Sequence, residues 1–172
     1  MSLKIIHTAD WHLGQTFFGY DRDEEHEAFL SWLIDILTLR QTDVLLIAGD
    51  VFDVANPSAA AQRRFFRFLR EANRRNPQLQ IVIIAGNHDS AARLEAPIPL
   101  LEELNTSIVG VVPRTDLCKI DFDSLLIPLY NKEGKREAIC LAVPYLRQGD
   151  YPASKEGKDT YVEGVTRMYR QL

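Results

Sequence analysis

Cysteine is scarce in this chain: Cys118 and Cys140 are the only two in 172 residues, both in a late segment, and they cannot frame a disulfide scaffold. Reduced thiols in a cytosolic protein are the expectation. No apolar run approaches the ~20 residues that cross a bilayer, and Lys4 followed only by Ile5-Ile6 is no signal peptide. A cytoplasmic protein with no membrane partner follows as an expectation. Charge of one sign is also lacking. The 20 Lys+Arg against 24 Asp+Glu leave a net −4, so any polyanion site must be local. Histidine is sparse, with His7, His12, His26 and His88 and none later. Repeats, linkers and low-complexity tracts are missing. What remains is ordinary globular composition, 46% apolar and 26% charged, in a chain long enough to bury roughly 70% of its unfolded surface. Disorder and collagen are excluded. Met1-Ser2-Leu3 reads as an expression remnant ahead of the first strand.

Three short apolar runs organise the first half: Ile5-Ile6, Val44 to Ala48 and Ile81 to Ala85. Lacking period-2 alternation, they predict strands buried on both faces, as in a parallel sheet. A helix is predicted over 24–39, with Asp23 as N-cap and Phe29, Leu30, Leu33, Ile36 and Leu37 at helical spacing. A second is predicted over 58–75, carrying Phe65, Phe68, Leu69 and Ala72, and Asn76-Pro77 ends it. The βαβαβ order predicts a layered α/β domain. After His88 the pattern changes. Residues 91–104 look helical but are broken by Pro97 and Pro99. Strands are expected over 108–112, 125–129 and 138–143, the last two joined by a hairpin turn at Asn131 to Gly134, and a helix over 159–172. Parallel units followed by antiparallel ones predict a mixed sheet or two packed sheets.

Each of the first three strands ends in metal-type ligands: Asp10-Trp11-His12, Gly49-Asp50-Val51-Phe52-Asp53 and Gly86-Asn87-His88-Asp89. The carboxyl ends of parallel strands share one rim, where ligands bind, so these segments are expected to be neighbours. Asp and Asn oxygens with His nitrogen suit a borderline divalent ion such as Mn²⁺, Fe²⁺ or Zn²⁺. Any one tripeptide alone reads as an ordinary surface loop. All three at strand ends, in this order, point to a metal centre.

The series Asp-x-His, Gly-Asp-x-x-Asp, Gly-Asn-His-Asp resembles the calcineurin-like metallophosphoesterases, and more closely their Mre-type DNA repair nuclease branch. The residues behind the closer likeness are His7 to Gln15, then Glu25-His26 with Phe29-Leu30 and Trp32-Leu33, and Ala142 to Arg147. The resemblance implies an α/β sandwich of two mixed β-sheets flanked by helices. It implies two divalent ions, Mn²⁺ foremost and Mg²⁺, Fe²⁺ or Zn²⁺ as alternatives. Asp10 and His12 would hold one ion, Asp50 would bridge, and Asn87 would hold the other. His88 would be the catalytic imidazole; Asp89 would orient it and Asp53 would place an outer hydrogen bond near the bridge, or either would instead cap a turn. Arg22 and Arg93 are candidate contacts for substrate phosphate. DNA, an ATPase subunit and a second copy of the protein are the implied partners.

The family pattern continues with a Gly-His and then a Gly-His-x-His segment, and no histidine follows His88 here. The expectation is therefore the front part of a longer nuclease domain, lacking those segments and a capping domain. Such a fragment would bind metal weakly, cut DNA poorly or not at all, and expose a sheet edge or face. A small-molecule phosphodiesterase or phosphatase and a non-catalytic scaffold are the rival readings. On the predicted second helix Arg63, Arg67, Arg70 and Arg74 form one stripe, read as a solvated face or a phosphate grip. Trp11, Phe17, Phe18 and Tyr20 either pack or stack on bases. His7 is read as packed or hydrogen-bonded, and His26 falls on a helix.

Overall fold

The computed structural model describes residues 2–101, 104–153 and 160–172. Strand β1 (Ile5–Thr8) leads into a small hairpin of β2 (Thr16–Phe17) and β3 (Tyr20–Asp21), then α1 (Asp23–Leu39). Next come β4 (Val44–Ala48), α2 (Ala59–Arg75), β5 (Gln80–Ile84), the short helices α3 (Ala91–Glu95) and α4 (Ile98–Leu101), and β6 (Thr106–Val109). The chain continues through β7 (Leu126–Tyr130), β8 (Arg136–Leu141) and α5 (Tyr161–Gln171). The helical readings at 102–103 and 159 lie outside the described residues.

The three apolar runs do form the parallel heart of the fold. β1, β4, β5 and β6 lie in that order, all parallel, with Ile6 opposite Leu45 and Leu45 opposite Ile81. Their continuous apolarity has a simple cause, since successive side chains face two different cores. Leu45, Ile47, Ile81 and Ile83 pack under α1 and α2 with Leu33, Leu37, Phe65 and Leu69. Val44 and Val82 point the other way, toward Leu125, Leu129, Val143 and Met168. The second face is covered by the antiparallel β7–β8 pair and by α5, so parallel and antiparallel pairing are divided between two packed sheets. Gln80 stitches the layers, its Nε2 donating to the Pro128 carbonyl at 2.8 Å.

Local chemistry sets the helix ends. Ser58 caps α2, its hydroxyl accepting from the Ala61 N–H, and Thr160 with Glu163 forms a capping box on α5. Asp23 is not the N-cap of α1. That place falls to Arg22, and the Asp23 carboxylate reaches across to the buried Arg64 guanidinium at 2.7 Å. Arg64 also meets Glu27, which pairs with Arg67, while Arg75 pairs with Asp35. Of the arginine stripe only Arg67 thus joins α2 to α1 among the described residues, beside the flanking Arg64 and Arg75, while Arg74 pairs with Glu71 on its own helix. His7 is exposed, contrary to the packed reading, because β1 is an edge strand and its outer side chains lie beyond the hairpin's cover. Trp11 is core, its ring edge-on to Phe29, Phe65 and Phe68. Cys118 and Cys140 are free thiols, and burial raises the pKa of the latter.

Candidate metal centre

The loops leaving β1 and β4 run side by side beyond the strands. Asp10 N–H donates to the Gly49 carbonyl at 3.1 Å, His12 N–H to Asp50 at 3.0 Å and Leu13 N–H to Val51 at 3.0 Å. The loop after β5 is tied to them by Asp89, which is almost fully buried. Its carboxylate accepts from the N–H groups of Val51, Phe52 and Gly86 at 3.2, 3.0 and 2.9 Å. Asp89 therefore follows the capping alternative rather than the orienting one. Three backbone donors occupy its oxygens, and it acts as the clamp between two metal-type loops. Asp50 adds a fourth tie by accepting the His88 N–H on Oδ1 at 2.9 Å.

This stitching sustains unusual backbone. Asp10, His12 and Asp50 all adopt positive φ, at 56°, 46° and 50°. The left-handed region costs an L-residue about 1–2 kcal/mol, and such residues concentrate at functional sites. Glycine makes room for the approach. A Cβ on Gly49 would lie 2.9 Å from the Gly86 Cα, and one on Gly86 would overlap the Asp50 carboxylate.

Three of the four predicted ligands, Asp10, His12 and Asp50, converge. One ligand atom each from Asp10, His12 and Asp50 lie within 4.8 Å of one another, and the same holds for His12, Asp53 and His88. Asn87 is exposed and lines a cavity of about 360 Å³ together with Asp10 and Asp50. His12 Nδ1 is buried with no hydrogen bond, although Asp53 Oδ1 stands 3.3 Å away. An orphaned ring nitrogen beside carboxylates, with the other nitrogen 3.9 Å from Asp50 Oδ2, is an arrangement a divalent cation would complete. The donor set fits hard to borderline ions.

His88 is exposed and stacks edge-on to His12, with ring centroids 4.8 Å apart. Its Nδ1 lies 2.7 Å from the Asp53 carbonyl oxygen, which can only accept, so this nitrogen carries the proton. That bond, reinforced by the carboxylates of Asp50, Asp53 and Asp89, raises the imidazole pKa above its ordinary value. Asp53 thus serves through its backbone as well as its side chain, which also accepts from Gln15 Nε2. Of the two arginines, Arg22 borders the first loop but is engaged by Gln15 at 2.7 Å and Glu25 at 3.0 Å. Arg93 is exposed on α3 and lines neither cavity at the rim.

Two features were not anticipated as part of the site. Tyr145, Tyr161 and Tyr169 wall the cavity that holds Asn87, because the Tyr145 N–H is fixed to the Ala85 carbonyl and the Tyr161 hydroxyl to that of Leu146. Gln15 links Asp53 to Arg22, and only its place in the first motif hinted at it.

A family model described as calcineurin-like phosphoesterase matches residues 3–158. Curated proteins described as the SbcD component of the SbcCD nuclease are also similar. One from Rhodobacter capsulatus is 48% identical over 99% of this chain and 42% of its own length. One from Escherichia coli K12 is 35% identical over 98% and 41%, and one from Bacillus subtilis 40% over 71% and 31%. The chain spans about two-fifths of the first two relatives.

Proposed function

The chain belongs to the calcineurin-like phosphoesterases, a family that implies divalent metal ions, and from that premise we propose that it serves a metal-dependent DNA nuclease. On this reading it is the N-terminal part of the nuclease domain of a subunit that hydrolyses phosphodiester bonds at DNA ends. An SbcC-like ATPase is its partner, a second copy its dimer mate, and the cytoplasm its location. Among the described residues no helix is long and apolar enough to cross a membrane. The observation that carries the proposal is the meeting of Asp10, His12 and Asp50 within 4.8 Å on mutually stitched loops. Similarity to nuclease components along 99% of the chain favours DNA over a small phosphodiester.

In the proposed site Asp10, His12, Asp50 and Asn87 are the residues that would hold the ions, with Mn²⁺ the preferred metal. Divalent ions supply Lewis acidity at phosphoryl oxygens and lower the pKa of water. The chain's own residues do the rest. His88, fixed through Nδ1 on the Asp53 carbonyl and held above its usual pKa, presents its other nitrogen to the phosphate and delivers a proton to the leaving oxygen. Arg93 is a proposed contact to the DNA backbone, whereas Arg22, whose guanidinium is engaged by Gln15 and Glu25, is not kept as one. Further imidazoles from the Gly-His and Gly-His-x-His segments would complete the ligand set in a longer protein, so the 172 residues alone are expected to bind metal weakly and cut poorly.

The test is cleavage by the full-length protein of duplex DNA with a free end, beside a nitrophenyl phosphodiester, in Mn²⁺. DNA cutting that disappears in Asp50→Asn is expected. Cleavage of the small diester alone would move the assignment to a small-molecule phosphodiesterase. Undiminished cutting in Asp50→Asn would end the metal mechanism.

A further inference from the structure

Asp10 borders two cavities. One is the tyrosine-walled space with Asn87. The other, about 330 Å³, lies between the first loop and the start of α1, and its lining includes Asp10, Gln15, Arg22, Glu25, His26 and Phe29. The proposed hydrolysis leaves this space unused. We propose that this second cavity is a nucleoside subsite, taking the base and sugar on one side of the phosphodiester held at Asp10 and His12. The identity of the ligand rests on the nuclease reading above, whereas the existence of a site rests on the following observations.

His26 is only 6% exposed, and its Nδ1 is buried with no hydrogen-bond partner. Buried polar groups are nearly always satisfied, and an exception calls for an unseen partner. Burial, followed by the nearby Arg22 and Arg64 charges, lowers the His26 pKa, which leaves a neutral ring offering one donor and one acceptor. The charge balance of the cavity points the same way. Its guanidinium, Arg22, is already engaged by Glu25 and Gln15, and two carboxylates, Asp10 and Glu25, line the same space. That balance disfavours a phosphate dianion and favours a neutral ligand bearing N–H and O–H groups. Phe29, braced edge-on against Trp11, adds an apolar wall suited to a flat ring. An amide, an imidazole and carboxylates can pair with the donor and acceptor edge of a base or with a sugar hydroxyl. The volume lies at the small end of ligand pockets, roughly 300–1,000 Å³, and suits one nucleoside. Because Asp10 belongs to both the cavity and the metal group, a nucleoside seated here would deliver its phosphate to the proposed ions.

The test is NMR of the His26 ring in the metal-free full-length protein, titrated separately with deoxyadenosine and inorganic phosphate. A saturable shift with the nucleoside and none with phosphate is expected. Gln15→Ala should weaken the nucleoside shift at least threefold. His26→Phe should abolish binding, and a thermal melt confirms that each variant folds. A His26 signal unmoved by the nucleoside, or moved by phosphate alone, overturns the subsite. The two proposals fail separately. A protein that binds deoxyadenosine at His26 but cuts no DNA keeps the subsite and loses the nuclease assignment. One that cuts DNA with His26 unmoved and kcat/KM unchanged in His26→Phe loses the subsite alone.

Discussion

Strands β4 and β7 have the same length and opposite circumstances. β4, with its neighbour β5, is buried on both faces, between α1 and α2 on one side and the β7–β8 layer on the other. β7 and β8 are covered on one face, and Ile139 and Leu141 remain 52% and 48% exposed. Part of the chemistry follows the burial, although Asp10 and His12 leave the edge strand β1. Asp50 and Asn87 leave the ends of doubly buried strands, whereas the hairpin contributes cover and no candidate ligand. A sheet packed on both sides holds its exit loops within hydrogen-bond tolerance of one another, and a one-sided pair lacks that support.

The sharpest way to break this comparison is to remove the clamp. Asp89→Ala strands three backbone N–H groups, two of them buried, and should cost on the order of 4 kcal/mol in urea unfolding. Asn131→Ala removes the bonds its side chain accepts from the Glu133 and Lys135 N–H groups and the one it donates to Glu137 in the hairpin, and should cost about 2 kcal/mol. Equal costs would mean that the rim is no more tightly tied than the hairpin.

Core truncation gives the next largest contrast. Leu45→Ala, at a fully buried β4 position, should destabilise by about 3 kcal/mol, and Leu141→Ala by less than about 0.5 kcal/mol. The smallest effect concerns pH. The folded-state pKa of His26 is lowered, so its neutral form contributes stability at neutral pH that is lost as pH falls through the ordinary histidine range. Thermal melts at pH 7.5 and 5.5 should show a larger acid-induced drop for wild type than for His26→Gln. A drop of the same size in both would remove His26 from the account.

Much of this was legible from the chain. The apolar runs predicted the parallel strands because double burial leaves no polar face, and the three ligand segments had to meet once those strands were parallel. What escaped was pairing. The β2–β3 hairpin has two residues per strand, too few for a period-2 signal, although Phe18-Gly19 supplies the positive φ values its turn needs. Asp23 looked like a cap because nothing local announced Arg64, 41 positions later, as its partner. For Asp89 the orienting and capping readings stayed level because its three backbone donors come from two different loops. His7 was misread because a sequence does not say which strand lies at the edge.

The central claim is that separated loops share one cation site, and Mn²⁺ binding reports on it directly. Titration of the 172-residue chain, followed by loss of the free-ion EPR signal, should give a dissociation constant weaker than about 1 µM. Asp10→Asn and Asp50→Asn should each abolish that binding. Mn²⁺ bound equally well by all three proteins would contradict the account, because the ion would then be held elsewhere.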